Sequence, residues 1–199
     1  MPQMSSRASR QAELTQAVID IVARHGLDRV SVREVASAAG VSIGTVQHYF
    51  PTKEELLTAA YTEAVRRIRD RLGALRLGPD ARRNLASVLR QLLPLDDRRT
   101  TEAKVYLAFA AAAATSSALA AIQRSVLAEL HTALTDAFTL AWGDGVPAAR
   151  RRAAAHAVIA LADGLALHAV TTTGWLGHRA LTDAADLVID SLLHGDVAR

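Results

Sequence analysis

Ser31-Val-Arg-Glu-Val-Ala-Ser-Ala-Ala-Gly-Val-Ser-Ile-Gly-Thr-Val-Gln-His-Tyr-Phe-Pro51 reads as two short helices joined by a tight turn. Ser31 and Glu34 have the spacing of a capping box, in which each side chain meets a free backbone N–H at a helix start. Val32, Val35, Ala36 and Ala39 then share one helical face. Gly40 can enter left-handed backbone without steric cost, which suits the turn. Ser42 can cap a second helix, and Pro51 forbids its continuation. The second helix offers small and polar side chains. The pair is a helix-turn-helix whose second member fits the DNA major groove.

Upstream, Met1 to Arg10 is polar and reads as a mobile, solvated tail whose Arg7 and Arg10 can reach toward phosphates. Leu14, Val18, Ile21 and Val22 space as one face of a first helix stopped at Gly26. A three-helix domain follows, closed by Phe50. Downstream, Thr52 caps a helix with Glu54 and Glu55 in its first turn, where carboxylates meet the positive dipole end. Leu56, Leu57, Ala60, Ala64, Ile68 and Leu72 form its apolar stripe, and Arg66, Arg67, Arg69 and Arg71 read as its solvated face, with a DNA contact as the alternative.

Gly40-Val41-Ser42, Gly44-Thr45, His48-Tyr49-Phe50 and Lys53-Glu54-Glu55-Leu56 resemble the DNA-binding motif of the TetR family of bacterial transcriptional regulators. The resemblance runs from about Leu14 to Tyr61 and includes Ala23-Arg24-His25-Gly26. Val46 to Phe50 and Leu161-Ala-Asp-Gly-Leu165 also look like the subgroup of choline-responsive betaine regulators, with no ligand carried over. The resemblance implies residues 1–50 as a DNA-binding domain and 51–199 as a helical ligand-binding and dimerisation domain, entered by a linking helix at 52–73. It also implies a homodimer through the last two helices. A helix-turn-helix usually reads two half-sites related by a two-fold axis, which points the same way.

Composition narrows the remaining possibilities. A chain of 199 residues, 50% hydrophobic, buries one domain or two small ones. Its longest apolar run, Val105 to Ala114, is short of the roughly eighteen residues of a membrane span. No secretory signal is visible, and the expected compartment is the cytoplasm. With no cysteine, disulfides, thiolate catalysis and cysteine-based zinc sites are excluded. A net charge of +3 favours anionic partners mildly. No cofactor, metal or catalytic residue is expected.

Among the DNA-binding candidates, Arg33 can reach a base edge or phosphate, or can be an exposed helix charge. Gly44 permits close backbone approach. Gln47 can donate to and accept from adenine at once, and Thr45 can meet a thymine methyl or a phosphate. Ser42 is the exposed cap. The resemblance assigns His48, Tyr49 and Lys53 to phosphates, which fix register rather than sequence. Val46 and Phe50 should face the core. Ile43 stands where the family often has lysine and Gln47 where it often has tyrosine, so the operator should differ from those of other members.

Beyond Gly78-Pro79-Asp80 the spacing predicts further helices and no strand, so the fold is all-helical. One helix carries Leu85 to Leu93 and stops at Pro94; Asp96 to Arg99 reads as a loop. Others open at Thr100/Thr101, at Ser116 or Ser117, after Pro147, and at Thr182 with Asp183 and Asp186 in its first turn. The resemblance implies a small-molecule pocket among these helices. Its candidate lining is Tyr106, Phe109, Phe138, Trp142, His156 and Asp163, with Trp175 a further aromatic. Asp163 can face a cationic ligand, bond a helix across the dimer, or lie exposed. Ordinary core is the alternative for each aromatic.

The function expected is a repressor that binds a palindromic operator and is released by a small effector. Two alternatives stand beside it. One is a DNA-binding regulator controlled by a protein partner or by its abundance. The other is a helical enzyme using His156, Asp163 or His168, for which no nucleophile, phosphate-binding glycine loop or metal motif is present.

Overall fold

A computed structural model describes residues 2–143 and 145–194, with side chains from Arg7 onward. Among the described residues there are nine α-helices, one short 3₁₀ turn and no strand. They are α1 (Pro2–His25), the turn (Leu27–Arg29), α2 (Val32–Ala39), α3 (Ile43–Tyr49), α4 (Lys53–Gly73), α5 (Ala81–Leu92), α6 (Asp97–Ala112), α7 (Ser117–Trp142), α8 (Ala148–Thr171) and α9 (His178–His194).

Helix starts show where local reading suffices. The Oγ of Ser31 accepts from the Glu34 amide at 3.1 Å, and that of Ser42 from the Thr45 amide at 3.0 Å. Gly40 lies at φ 64° and ψ 35°, with its N–H directed back to Ala36 and Ser37. Thr52 Oγ1 accepts from the Glu55 amide, as expected.

Other boundaries are corrected. The stretch before Leu14 is helical from Pro2, not a loose tail; proline fits a helix's first turn, where its missing N–H costs nothing. Asp96 is a cap rather than part of a loop: its Oδ1 accepts from the Arg99 amide at 2.7 Å, so Arg98 and Arg99 lie in α6. Helix α9 starts at His178, and Asp183 and Asp186 fall beyond its first turn. The Thr182 hydroxyl does not cap; it donates back to Arg179 O at 2.8 Å. The arginines of α4 are not simply solvated. Arg71 is largely buried, paired with Glu102 and donating to Gln91 O at 3.0 Å, while Arg69 pairs with Glu129.

Packing divides the chain into two units, Met1–Arg67 with Lys104–Gln123, and Ile68–Ala103 with Arg124–Arg199. In the first, Leu14, Val18, Val30, Val35, Val46 and Leu56 are fully buried. Tyr61, also fully buried, stacks on Phe109 at 4.9 Å and donates to Gln123 Oε1, while Gln123 donates to the Tyr106 hydroxyl at 3.1 Å. Glu63 pairs with Arg66 and Arg67, and Arg67 also donates to Gln16 of α1. The Arg66 hydrogen bond, reinforced by Arg67, holds the Glu63 carboxyl down at about 2.

The second unit packs Leu85, Leu89, Leu93, Leu134, Phe138, Val158, Leu181 and Ile189 into one core. Arg82 and Arg90 of α5 pair with Asp190 and Asp186 of α9. Helix α8 is apolar nearly all round: an 18-residue window has a mean hydropathy of 1.6, yet only 33% of it is buried. By length and composition alone it could cross a membrane, which a search for unbroken apolar runs misses because His156 and Asp163 interrupt it. Its Ala154, Ala155, Val158, Ile159, Ala162 and Ala166 nevertheless belong to the buried interior.

Candidate nucleic-acid interface and effector site

Helix α3 is held by one buried residue, Val46, and closed by Phe50, which is 6% exposed. The remaining side chains are therefore turned outward. Ser42, Ile43, Gly44, Gln47 and His48 are exposed, as are Arg33 on α2 and Lys53 at the start of α4. Thr45 and Tyr49 are half-buried. Two of these side chains are braced. The Thr45 hydroxyl lies 2.9 Å from that of Ser42, which leaves its methyl as the other group it can present. The His48 ring meets Tyr49 edge-on at 5.1 Å.

A Cβ built on Gly44 would meet only Ser42 Oγ, at 3.8 Å. Folding therefore does not demand glycine there, and its openness is available for an approaching surface. Ile43, which stands where the family often has lysine, is 47% exposed and gives the outward-facing helix an apolar patch at its start. A β-branched residue directly after a helix cap, with the buried valine three places on, is the signal that could have shown this.

The aromatic effector candidates fall into separate ring groups. Tyr106 and Phe109 join Tyr61 in the first unit, Tyr106 at 6.5 Å. In the second unit Phe138 and Trp142 lie 4.7 Å apart, and His156 meets His131 at 4.1 Å. Trp175 is 70% exposed and 6.0 Å from His168. Asp163 is half-buried, and among the described residues it has no hydrogen bond or ion pair. Burial raises its carboxyl above the ordinary 3.8. His131 is not among the sequence candidates; among the described residues its Nε2 is buried without a partner, as are Thr135 Oγ1 and Trp142 Nε1 on the same helix.

Residues 14–60 match the family model described as bacterial regulatory proteins of the tetR family. Residues 79–194 match the BetI-type transcriptional repressor C-terminal model. The chain belongs to the TetR family. The HTH-type transcriptional regulator BetI of Burkholderia ambifaria is 31% identical over 200 residues, covering 98% of this chain and all of that one. A transcriptional regulator of Rhodococcus superposes with a TM-score of 0.87 at 39% identity, over 93% of this chain and 96% of the other. A regulator from Saccharomonospora viridis, solved in complex with choline, has the same fold, with a TM-score of 0.81 at 19% identity over 94% and 97% of the two chains. These TetR relatives are transcriptional regulators rather than enzymes, and this chain is a DNA-binding regulator of the same family.

Proposed function

We propose that this TetR-family protein is a cytoplasmic repressor that binds a palindromic operator as a homodimer and is released by a small molecule. What carries the DNA-reading part is α3: a helix fixed by buried Val46 that turns Gln47, Thr45 and Ile43 outward around a glycine that the fold does not need. Gln47 reads adenine through its amide, and Ile43 and the Thr45 methyl meet thymine methyls. Arg33, Ser42, His48, Tyr49 and Lys53 hold phosphates, while Gly44 lets the backbone close in. Residues 1–50 form the reading domain and residues 51–199 the responding one, entered by the linking helix at 52–73.

The dimer reading rests on α8 and α9. Ala153, Ala157, Ala160, Gly164 and Leu167 recur at helical spacing on α8 and are all at least partly exposed, as are Ala180, Ala184, Leu187 and Ser191 on α9. An apolar helix with only 33% of its 18-residue window buried favours a second copy as its cover. Small residues allow close helix approach, so each stripe can pack on its two-fold mate.

The effector reading rests on Asp163, a half-buried carboxylate that pairs with no cation among the described residues. An unpaired carboxylate there is costly, and a cationic effector such as the choline held by the Saccharomonospora protein would offset that cost. Occupancy shifts the protein only as far as the ligand prefers the geometry that does not fit DNA. Tyr106, Phe109, Phe138, Trp142 and His156 are the accompanying candidates.

The test is operator binding by the full chain, followed by fluorescence anisotropy on an inverted repeat recovered by selection, with sedimentation to give the stoichiometry. Two copies per site, with choline-sensitive release that Asp163→Asn weakens while leaving operator affinity intact, is the expected result. One copy per site would reject the dimer. Release by choline that Asp163→Asn does not alter would remove Asp163.

A further inference from the structure

We propose that the groove between α1 and α2 is a second small-molecule site, and that it takes a zwitterion carrying an ammonium and a carboxylate. The groove encloses about 350 Å³ and lies wholly within the first packing unit. It is formed by the C-terminal part of α1, Arg29 of the 3₁₀ turn and the exposed side of α2. That volume falls toward the small end of the roughly 300–1,000 Å³ of ligand pockets, so the occupant is compact. None of the lining residues is among the DNA-binding candidates.

The charges of the lining select the occupant. Arg24 and Arg29 share the groove with Asp20 and Glu34, two cations and two carboxylates beside one histidine, His25. Yet these opposite charges do not pair with one another. Among the described residues the side chains of Arg24, Arg29 and Glu34 make no hydrogen bond or ion pair. Asp20 precedes Arg24 by four residues, a spacing at which helix ion pairs form. Its Oδ1 instead accepts from Gln16 Nε2 at 2.8 Å, one turn in the opposite direction. Gln16 is held in turn by Arg67 of α4, which donates to its Oε1 at 2.5 Å. The half-buried Asp20 carboxylate is thus fixed from one side, and its remaining acceptor capacity serves the groove.

A lone anion in this groove would meet two carboxylates, and a lone cation would meet two arginines. A zwitterion leaves neither sign opposed: its ammonium donates to Asp20 and Glu34, and its carboxylate accepts from Arg24 and Arg29, in charge-assisted hydrogen bonds. Asp20 and Arg24 are offset by about 6 Å along the helix axis, four residues at roughly 1.5 Å each. A short hydrocarbon link between the two charged groups spans that offset, and buried Ala17 and Ile21 give it an apolar floor. The site is independent of the effector reading of Asp163, which belongs to the other packing unit.

The test is an NMR titration of the full ¹⁵N-labelled protein with glycine, 4-aminobutanoate and 6-aminohexanoate, which step the two charges apart. Butanoate, butylamine and choline serve as single-charge probes. At least one zwitterion should give saturable shifts centred on the amides of residues 17–25 and 34–38, with each single-charge probe about tenfold weaker or more. Arg24→Gln, at an exposed position, and Asp20→Asn, which keeps an acceptor for Gln16, should each weaken that binding about tenfold. No saturable response from any of the zwitterions would overturn the proposal. So would a single-charge probe that binds as tightly, or a response that either variant leaves unchanged. The competing occupant is a DNA phosphate. Arg24→Gln should leave operator affinity within about twofold, because the phosphate contacts that set register lie elsewhere; a loss across all sequences would give this arginine to DNA and overturn the proposal.

Discussion

Helix α3 and helix α7 treat polar side chains in opposite ways. On α3 a single buried valine anchors the helix, and its polar groups face outward, held by neighbours three residues away. On α7 three polar atoms, from His131, Thr135 and Trp142, are buried without partners among the described residues. The first pattern suits a surface that meets a large, hydrated, charged partner; the second withdraws polar groups from solvent. The DNA-binding candidates of α3 therefore lie mostly at the surface, whereas these polar atoms of α7 are withdrawn from it. That difference also decides which half could be read in advance.

The largest effect should come from the uncovered helices. Leu187 is 68% exposed on α9, so Leu187→Asp should leave the monomer folded while preventing dimerisation. Losing the second half-site should weaken operator binding by about 10²–10⁴-fold, as loss of a linked binding event does. Light scattering and operator titration check this together, and a variant that stays dimeric would place the interface elsewhere. Gly44→Ala sharpens the outward reading. The fold accommodates the added methyl, so thermal stability should hold or rise slightly while operator affinity falls, by about tenfold if the backbone approaches DNA closely. Unchanged affinity would mean that DNA does not come near Gly44.

Smaller effects follow. Ser42→Ala removes the α3 cap and the partner of Thr45, and should cost about 1 kcal/mol in chemical denaturation. The contrasting inward residue is Asp163. Its folded-state value is raised by burial, so the ionised form is disfavoured in the folded protein. The resulting loss of stability is fully present above the raised value and disappears as pH falls toward and below the ordinary 3.8. Asp163→Asn should therefore melt at a higher temperature than the parent at pH 7, with the difference shrinking as pH approaches 4. An Asn variant less stable at pH 7 would mean that the carboxylate has a favourable partner in the dimer.

The helix-turn-helix was legible because its determinants are local. Ser31 and Ser42 cap amides three residues on, and Gly40 takes the turn conformation that its missing side chain permits. The all-helical class followed equally well from periodicity. The misread parts depend on distant residues. Asp186 reads as a first-turn acid of α9, yet it pairs with Arg90, 96 residues away in the chain. Arg71 reads as solvated, yet it is taken up by Glu102 and the Gln91 carbonyl. His131 attracted no notice because only its ring contact with His156 marks it out. The polar start of α1 reads as a tail in the sequence because its residues leave no periodic apolar signature. Pro2 was the available clue.

The central claim, that α3 reads base edges through Gln47, is tested most directly by binding-site selection with the parent and Gln47→Ala dimers. An inverted repeat should emerge for both, with discrimination lost at one base pair per half-site in the variant, a change of about 1–3 kcal/mol at that position. Equal loss of affinity across all sequences, with every position of the repeat still discriminated, would contradict it.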